Sequence, residues 1–273
     1  MEIKTKELDN GNLIINEEFA ELIRHNGLIT AKKLWEMKSD PVKSILEERG
    51  TGRFFLEPPK GAEFAETYIK RYSPPSLKEK IKAFSSLKFE KYDAFHEWNA
   101  LLAFHRHNLP TVTPVAVARV NGRTCNLTLG IKDYKRASAL FESFKREDGE
   151  RKRKLIRKIA ELAGDMHATG FAHQDFYLVH IFVKECENDA IYLIDLQRLV
   201  MDGALSKRFR IKDLGQLLFS ARPFVSRTDM MRFWKAYTEK AGKELFKNKR
   251  LIRSVFGKAD KILKRHERKQ KKA

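Results

Sequence analysis

The fold is indicated most directly by residues 173–195, which read HQDFYLVHIFVKECENDAIYLID. Two apolar runs in this stretch, Ile181–Val183 and Ile191–Ile194, are joined by a polar turn, and this pattern predicts a β-hairpin. Because a hairpin returns the chain to the edge where it began, we expect Asp175 and Asp195 to lie close together although twenty residues separate them. The alternative is that they are an ordinary turn aspartate and a strand-terminal cap.

A buried helix is predicted before this hairpin, and more helices are predicted after it. Residues 151–168 place apolar side chains on one helical stripe, and Gly170 supplies a helix-ending residue. The chain beyond Arg208 also has a helical pattern. We therefore expect a mainly helical C-terminal half in which a helix, a loop and the hairpin follow one another.

The N-terminal half is richer in predicted strands. Residues 17–37 indicate two short helices that are broken near Asn26-Gly27, and one longer helix is predicted from Glu90 to His107. The predicted strands are Arg53–Glu57, Glu63–Tyr72, Thr111–Arg119 and Thr124–Ile131. We therefore expect an α+β protein of two lobes, a β-rich lobe with one long helix (residues 1–133) and a mainly helical lobe (residues 134–273).

The composition is that of a folded protein with a strongly basic surface. Of the 273 residues, 42% are hydrophobic and 11% aromatic, which argues against disorder, and the formal net charge is +19. This charge favours nucleic acid, an anionic membrane leaflet or a phosphorylated substrate as partner, and it also fits a well-solvated basic protein. Cys125 and Cys186 indicate neither a disulfide framework nor a zinc site. The sequence has no secretory signal and no long apolar run, so we expect a cytoplasmic protein.

The residues around the hairpin have the chemistry that phosphoryl transfer requires. That reaction needs a carboxylate near the acceptor hydroxyl, a second carboxylate that holds magnesium on the phosphates, and a lysine that fixes the nucleotide. Asp175 and Asp195 are candidates for the two carboxylates. Lys70 on a predicted strand is the candidate lysine, with Glu97 on the following helix as its ion-pair partner.

Two motifs resemble those of a known kinase family. Residues 173–183, HQDFYLVHIFV, and residues 193–198, LIDLQR, resemble the HRDxYxCHFL-like catalytic loop and the IDLHR-like metal motif of the lipopolysaccharide core kinases of the Kdo/WaaP family. Tyr177 and His180 distinguish this pattern from that of ordinary protein kinases. Further similarity extends from about Asn26 to Lys212-Asp213-Leu214 and covers most of the chain.

The resemblance implies a protein-kinase-like fold and transfer of the ATP γ-phosphate to a sugar hydroxyl, heptose or Kdo, of the lipopolysaccharide inner core. Asp175 would be the catalytic base, and Asp195 would hold Mg²⁺. His180 would take the place of the usual second metal-binding asparagine, although imidazole is a poor magnesium ligand and a hydrogen bond within the loop is the alternative. Asp213 would brace the catalytic loop from a helix of the C-terminal lobe.

The resemblance also implies that Lys70 contacts the nucleotide phosphates and that Glu97 orients it. Two further pairs of residues complete the predicted nucleotide site. The first pair comes from a Gly-x-Gly sequence ahead of the first predicted strand, where backbone N–H groups would face phosphates. The second pair falls at the expected adenine-binding hinge, in a segment that lacks the usual Thr-Glu signature. The first pair is Gly50 and Gly52, and the second pair is Gly130 and Ile131.

The expected partners are the lipopolysaccharide core or lipid A-core acceptor and an anionic membrane surface. Basic tracts at Lys145–Lys158 and Lys247–Ala273 suit a peripheral position on the inner face of the inner membrane. We expect a monomer and no binding of nucleic acid. Two alternatives stay open: a phosphotransferase of the same fold that acts on protein or small-molecule hydroxyls, and a non-catalytic basic module that binds nucleic acid or membrane.

Overall fold

The computed structural model describes residues 2–46, 49–59, 64–73, 93–185, 189–201 and 203–271. The chain divides into two compact units, Met1–Lys132 and Asp133–Ala273. The first unit is built on a large sheet, and the second consists mainly of helices. The predicted α+β class is therefore confirmed.

Seven strands form the sheet of the first unit: β1 Thr5–Leu8, β2 Leu13–Asn16, β3 Asp40–Leu46, β4 Arg49–Leu56, β5 Ala65–Tyr72, β6 Pro114–Val120 and β7 Arg123–Leu129. Their order is β1-β2-β6-β7-β5-β4-β3, and every neighbouring pair is antiparallel. Five consecutive residues of β6, Pro114–Ala118, are buried. The centre of the sheet is therefore covered on both faces.

The helices of the first unit follow the sequence prediction. α1 (Ala20–His25) and α2 (Ala31–Glu36) are separated at Gly27, whose φ of +66° ends the first helix. The long helix α3 spans Ala94–Arg106 and begins where the Asp93 side chain accepts a hydrogen bond from the His96 N–H at 2.9 Å. The start of its predicted range, residues 90–92, lies outside the described residues.

The prediction missed three strands, β1, β2 and β3, because they are short or contain polar residues and a proline. It also misplaced Gly50 and Gly52, which lie inside β4 and not in a turn ahead of the first strand. Because β4 pairs with both β3 and β5, its backbone hydrogen bonds serve the sheet. A Cβ atom on Gly52 would lie 2.1 Å from Ser39 Oγ, so this glycine makes room for a packed side chain.

Five helices dominate the second unit: α4 Ala137–Ser143, α5 Gly149–Ala168, α6 Lys207–Ala221, α7 Arg227–Ala241 and α8 Lys249–Gln270. α5 packs on α7, and α6 packs on α8. Burial of Leu155, Ile159 and Met166 confirms the predicted apolar stripe of α5. No helix in the described part of the chain is long and apolar enough to cross a membrane.

The predicted hairpin is confirmed. Strands β10 (Ile181–Lys184) and β11 (Ala190–Leu193) pair antiparallel with Ile181 opposite Leu193, and β8 (Tyr134–Arg136) joins the outer side of β10. A two-residue strand, β9 (Phe171–Ala172), precedes the loop that carries Asp175 and pairs with β12 (Val200–Met201). The loop is therefore tied to short ladders at both of its ends.

We predict that Gly170→Ala destabilises the second unit much more than Gly203→Ala. Both glycines have positive φ, +84° and +72°, so either alanine costs about 1 kcal/mol of backbone strain. A Cβ at position 170 would also lie 2.4 Å from the backbone oxygen of Gly203, which adds about 2 kcal/mol, whereas a Cβ at position 203 meets nothing within 4 Å. Urea unfolding measures the difference, and equal midpoints for the two variants would contradict the described approach of these backbones.

Candidate active site

The loop from His173 to His180 connects β9 to β10 and ends in a 3-10 turn, Leu178–His180. Gln174 has a φ of +68°, a left-handed conformation that a residue with a side chain adopts only when its surroundings hold it there. The loop is therefore shaped by contacts from outside its own sequence.

Asp213 on α6 supplies the main contact. Its side chain is fully buried, and its two carboxylate oxygens accept hydrogen bonds from the N–H of His173 at 2.7 Å and the N–H of Gln174 at 2.8 Å. These bonds hold the left-handed residue Gln174 and the residue before it. The predicted bracing of the loop by Asp213 is confirmed.

Two more polar residues on the same face of α6 extend this contact, and the sequence analysis missed both. The side-chain amide of Gln216 accepts from the Phe176 N–H at 3.2 Å and donates to the Gln174 carbonyl at 2.9 Å. Ser220 Oγ accepts from the Leu178 N–H at 3.0 Å. The available signal was the spacing of Asp213, Gln216 and Ser220, which puts three polar residues on one side of α6.

His173 is buried and has a defined tautomer. Its Nδ1 accepts from the Asp175 N–H at 3.2 Å, so Nε2 carries the proton and donates to the Ile194 carbonyl at 3.0 Å. Burial lowers the pKa of His173, which favours this neutral form. The ring thus ties the base candidate Asp175 to the strand end that leads into Asp195.

A second buried histidine supports Asp213 from α5. His167 Nε2 lies 3.4 Å from an Asp213 oxygen, and its Nδ1 accepts from the hydroxyl of Tyr237 at 2.9 Å. Burial lowers the pKa of His167 and raises that of Tyr237 to about 12, while Arg210 donates to the Tyr237 oxygen. The loop is therefore supported by a connected set of buried polar groups from α5, α6 and α7.

Asp175 projects its side chain to the surface of the loop, with 24% of it exposed. The Asp175 carbonyl accepts hydrogen bonds from the Tyr177 N–H at 2.9 Å and from His180 Nδ1 at 2.7 Å. Its carboxylate contacts the guanidinium of Arg198 at 3.0 Å. The backbone of the candidate base is thus fixed, and its carboxylate remains accessible.

Asp195 follows β11 in a left-handed conformation, with φ of 66° and ψ of 55°. Its Oδ2 lies 3.8 Å from His180 Nε2, too far for a hydrogen bond. Because His180 Nδ1 donates to a carbonyl, Nε2 is the ring nitrogen that faces the carboxylate. The structure therefore brings His180 and Asp195, the two predicted metal ligands, close together. The His180 ring also bonds to the backbone of Asp175.

This pair fits a magnesium ion in part. Mg²⁺ in kinases takes one or two carboxylates and otherwise phosphate and water oxygens, and the Asp195 carboxylate suits that role. Imidazole is a weaker match for this hard ion. Among the described residues there is no group of three or more histidine, cysteine or acidic side chains that could hold a metal by itself. Asp195 and His180 therefore fit a metal ion whose remaining ligands come from a nucleotide.

In the first unit, Lys70 on β5 contacts Glu97 on α3, with 2.6 Å between Nζ and Oε1. The other oxygen of Glu97 accepts from the Tyr72 hydroxyl at 2.9 Å and from the Asn126 amide at 3.0 Å. Glu97 is buried, so these bonds compensate its desolvation. The pairing of Lys70 with Glu97 is as the sequence suggested, and its role towards a nucleotide stays a prediction.

Gly130 follows β7, and its N–H donates to the Glu66 carbonyl at 2.7 Å. A Cβ at this position would lie 3.0 Å from that carbonyl oxygen, so the close approach leaves little room for a side chain. Gly130 therefore has a role in fixing the end of β7. The nucleotide-binding role expected for Gly130 and Ile131 stays a prediction.

Comparison with known proteins agrees with this geometry. The sequence model of the lipopolysaccharide kinase (Kdo/WaaP) family matches residues 32–237. The chain is 30% identical to a lipopolysaccharide core heptose(I) kinase WaaP of Escherichia coli, over 86% of this chain and 96% of the relative. It is 28% identical to the protein of the same name from Pseudomonas aeruginosa, over 70% of this chain and 76% of the relative.

Solved structures identify the fold. The structure of WaaP in complex with acyl carrier protein superimposes with a TM-score of 0.70 at 22% identity, covering 91% of this chain and 98% of that one. An aminoglycoside-3'-phosphotransferase of type VIII superimposes with a TM-score of 0.50 at 13% identity, covering 86% and 99% of the two chains. Both likenesses confirm the predicted protein-kinase-like fold.

The family match covers most of the chain, and the Escherichia coli relative, at 30% identity, matches over 96% of its own length. The phosphotransferase prediction and the resemblance to the Kdo/WaaP family are thereby confirmed. The chain belongs to the Kdo/WaaP family of lipopolysaccharide kinases and is a phosphotransferase that acts on a sugar hydroxyl.

Proposed function

We propose that this chain transfers the γ-phosphate of ATP to a heptose hydroxyl of the lipopolysaccharide inner core. The names of the curated relatives support heptose as the acceptor. The structural observation that carries the proposal is the loop itself. It holds the Asp175 carboxylate partly exposed, on a backbone fixed by α6, and its His180 lies 3.8 Å from Asp195.

The reaction assigns one proton transfer to the protein. The acceptor hydroxyl oxygen attacks the γ-phosphorus, the bond from that phosphorus to the bridging oxygen of ADP breaks, and the hydroxyl proton passes to an Asp175 carboxylate oxygen. The hydrogen bonds from Tyr177 and His180 to the Asp175 carbonyl fix the backbone from which this side chain projects. Asp175 therefore serves as the base, and the loop around it is a positioning device.

The metal role is proposed for Asp195 together with His180. Mg²⁺, when bound, supplies positive charge that offsets the negative charge of the transferring phosphate. Asp195 would contribute a carboxylate oxygen, and the His180 ring would present Nε2 on the same side. The bond between His180 Nδ1 and the Asp175 carbonyl links the backbone of the base to one of the two proposed metal-holding residues.

Lys70 is proposed to contact the nucleotide phosphates. An ammonium group paired with a buried carboxylate is held in one orientation, and Glu97 is itself fixed by Tyr72 and Asn126. The backbone at Gly130 and Ile131 is proposed to lie next to the base of ATP. For Gly50, where a Cβ would meet nothing within 4 Å, we propose a more limited role in which the bare β4 backbone leaves space for the nucleotide. The space beside Gly52 is filled by Ser39, so we propose no contact of Gly52 with the nucleotide.

We propose that the protein works at the cytoplasmic face of the inner membrane as a peripheral monomer. The support is its net charge of +19 and the basic tracts of α5 and α8, of which α8 carries a run of cations near its end. Each cation near an anionic leaflet contributes about 1 kcal/mol to binding. Such docking would bring the enzyme to an acceptor that is embedded in the membrane.

An apolar cavity in the second unit supports one further partner. It has a volume of about 640 Å³ and is lined by side chains of α4 to α8 and by Leu178 of the catalytic loop. Met231 and Phe256, both partly exposed, belong to its wall. Because a structural relative was solved with acyl carrier protein, we propose that this chain binds such a carrier too and that the cavity holds its acyl chain.

The central prediction concerns Asp175→Asn, which keeps the shape of the side chain and removes its capacity as a base. We expect transfer of labelled phosphate from ATP to purified core lipopolysaccharide to fall by roughly 10² to 10⁴ fold. Asp165→Asn is the matched control, since Asp165 is 45% exposed on α5 and contacts only Lys240 among the ion pairs described. Equal transfer by the native protein and Asp175→Asn would refute the assignment, and label on protein alone would refute the sugar acceptor.

The cavity proposal predicts that Ala221→Phe excludes an acyl carrier. Ala221 lines the cavity, so a phenyl ring there would occupy the space of an acyl chain. After co-expression with a defined acylated carrier protein, native mass spectrometry should show a complex for the native chain and for Ala168→Phe, an exposed position of α5. An undiminished complex with Ala221→Phe, or none with the native chain, would exclude the proposal.

A further inference from the structure

Basic side chains surround the base in the second unit. Arg198 lies 3.0 Å from an Asp175 oxygen, and 45% of its side chain is exposed. Lys212 on α6 donates a hydrogen bond from Nζ to Oε1 of Gln174 at 2.9 Å, and Gln174 directly precedes the base Asp175 in the sequence. Two cations therefore belong to the immediate surroundings of Asp175.

The basic helix α8 brings more positive charge to this loop. The stem of Lys258 lies against α6 at Gly215, where a Cβ would be 2.5 Å from Lys258 Cγ. About two helical turns further along α8, the ring of His266 is 5.9 Å from Phe219, whose ring is 6.4 Å from Tyr177 of the loop. Lys258 and Arg265 therefore lie on the segment of α8 that packs along α6 near the loop.

Electrostatic effects agree with this placement. Burial is the main reason that the pKa of Lys212 is lowered, and the charges of Arg198 and Lys258 lower it further, while Asp175 opposes them. Arg198 and Arg265 likewise act on Tyr177, whose pKa is raised chiefly by burial. Like charges placed together at a partly exposed surface repel one another, and an anionic ligand relieves that repulsion.

The position of Arg198 indicates which substrate the anion belongs to. A base must approach the acceptor hydroxyl to about 3 Å, so the guanidinium, at a similar distance from the same carboxylate, lies within about 6 Å of that hydroxyl. Groups at this range are substituents on the acceptor sugar or its neighbour. The planar fork of arginine suits a carboxylate or a phosphate.

We propose that Arg198, supported by Lys212, Lys258 and Arg265, binds an acidic group that the acceptor carries next to the hydroxyl to be phosphorylated. This inference rests on the proposed function and specifies the class of acceptor. Without acceptor, Arg198 lies on Asp175; when it binds the acidic group instead, a carboxylate oxygen of Asp175 becomes available to the hydroxyl. The site therefore prefers an acidic sugar chain and couples its binding to exposure of the base.

The test compares three forms of one deacylated core oligosaccharide: intact, carboxyl-reduced and phosphatase-treated. For the native protein, kcat/KM should fall by about tenfold or more for the form that lacks the recognised group, as expected for one charge-assisted hydrogen bond. The oligosaccharide form with the reduced kcat/KM shows whether the recognised group is a carboxylate or a phosphate. In Arg198→Gln the ratio between intact and altered acceptors should approach one, and in Lys258→Gln it should fall by a smaller factor.

Arg24→Gln is the matched control, because Arg24 is exposed on α1 in the first unit, and it should keep the native ratio. Calorimetry of the same oligosaccharides without nucleotide reads binding directly and is independent of turnover. If the native protein neither binds nor uses the intact form better than both altered forms, or if Arg198→Gln keeps the native ratio, the inference is wrong. Absence of transfer to all forms, with selective binding retained, would instead refute the proposed function alone.

Discussion

The carboxylate of Asp213 accepts hydrogen bonds from two consecutive backbone N–H groups of the catalytic loop, and the positions of the proposed catalytic groups depend on this contact. A buried carboxylate is stable only when its oxygens are hydrogen-bonded, so the loop and α6 satisfy each other. The left-handed turn at Gln174 places Asp175 beyond that contact, with its side chain partly exposed. From there, the His180 ring connects the Asp175 carbonyl to the neighbourhood of Asp195.

The two buried histidines next to this contact, His167 and His173, have a defined protonation state. Burial lowers the pKa of His167 and of His173, so both imidazoles are neutral in the folded protein at neutral pH. A group whose folded pKa is depressed in this way stabilises the fold above its unfolded pKa, about 6.5 for histidine, and loses that contribution as the pH falls. The buried network is therefore sensitive to acid.

Local patterns were enough to predict the hairpin and the helix before it, and the kinase-like order of the residues was enough to predict the pairing of Lys70 with Glu97. What the sequence could not reveal depends on distant partners. Gln216 bonds to residues about forty positions away, and the spacing of polar residues on α6 indicates a polar face but does not identify the partner of that face. Gly52 looked like a phosphate-binding turn, but it lies in a strand where Ser39 fills the space of a side chain. β1 and β3 contain too many polar residues to be predicted as strands. They form by hydrogen bonding to the adjacent strands β2 and β4 at the two edges of the sheet.

The central claim is that Asp213 sets the geometry of the catalytic loop, and amide hydrogen exchange of residues 173–178 in Asp213→Asn tests it most directly. An amide in place of the carboxylate leaves one of the two N–H groups without its acceptor, so we predict faster exchange in the loop and a parallel fall in kcat. Asp229→Asn is the matched control, since Asp229 is also buried but caps α7. Native exchange rates in the loop of Asp213→Asn, or equal acceleration in Asp229→Asn, would contradict the account.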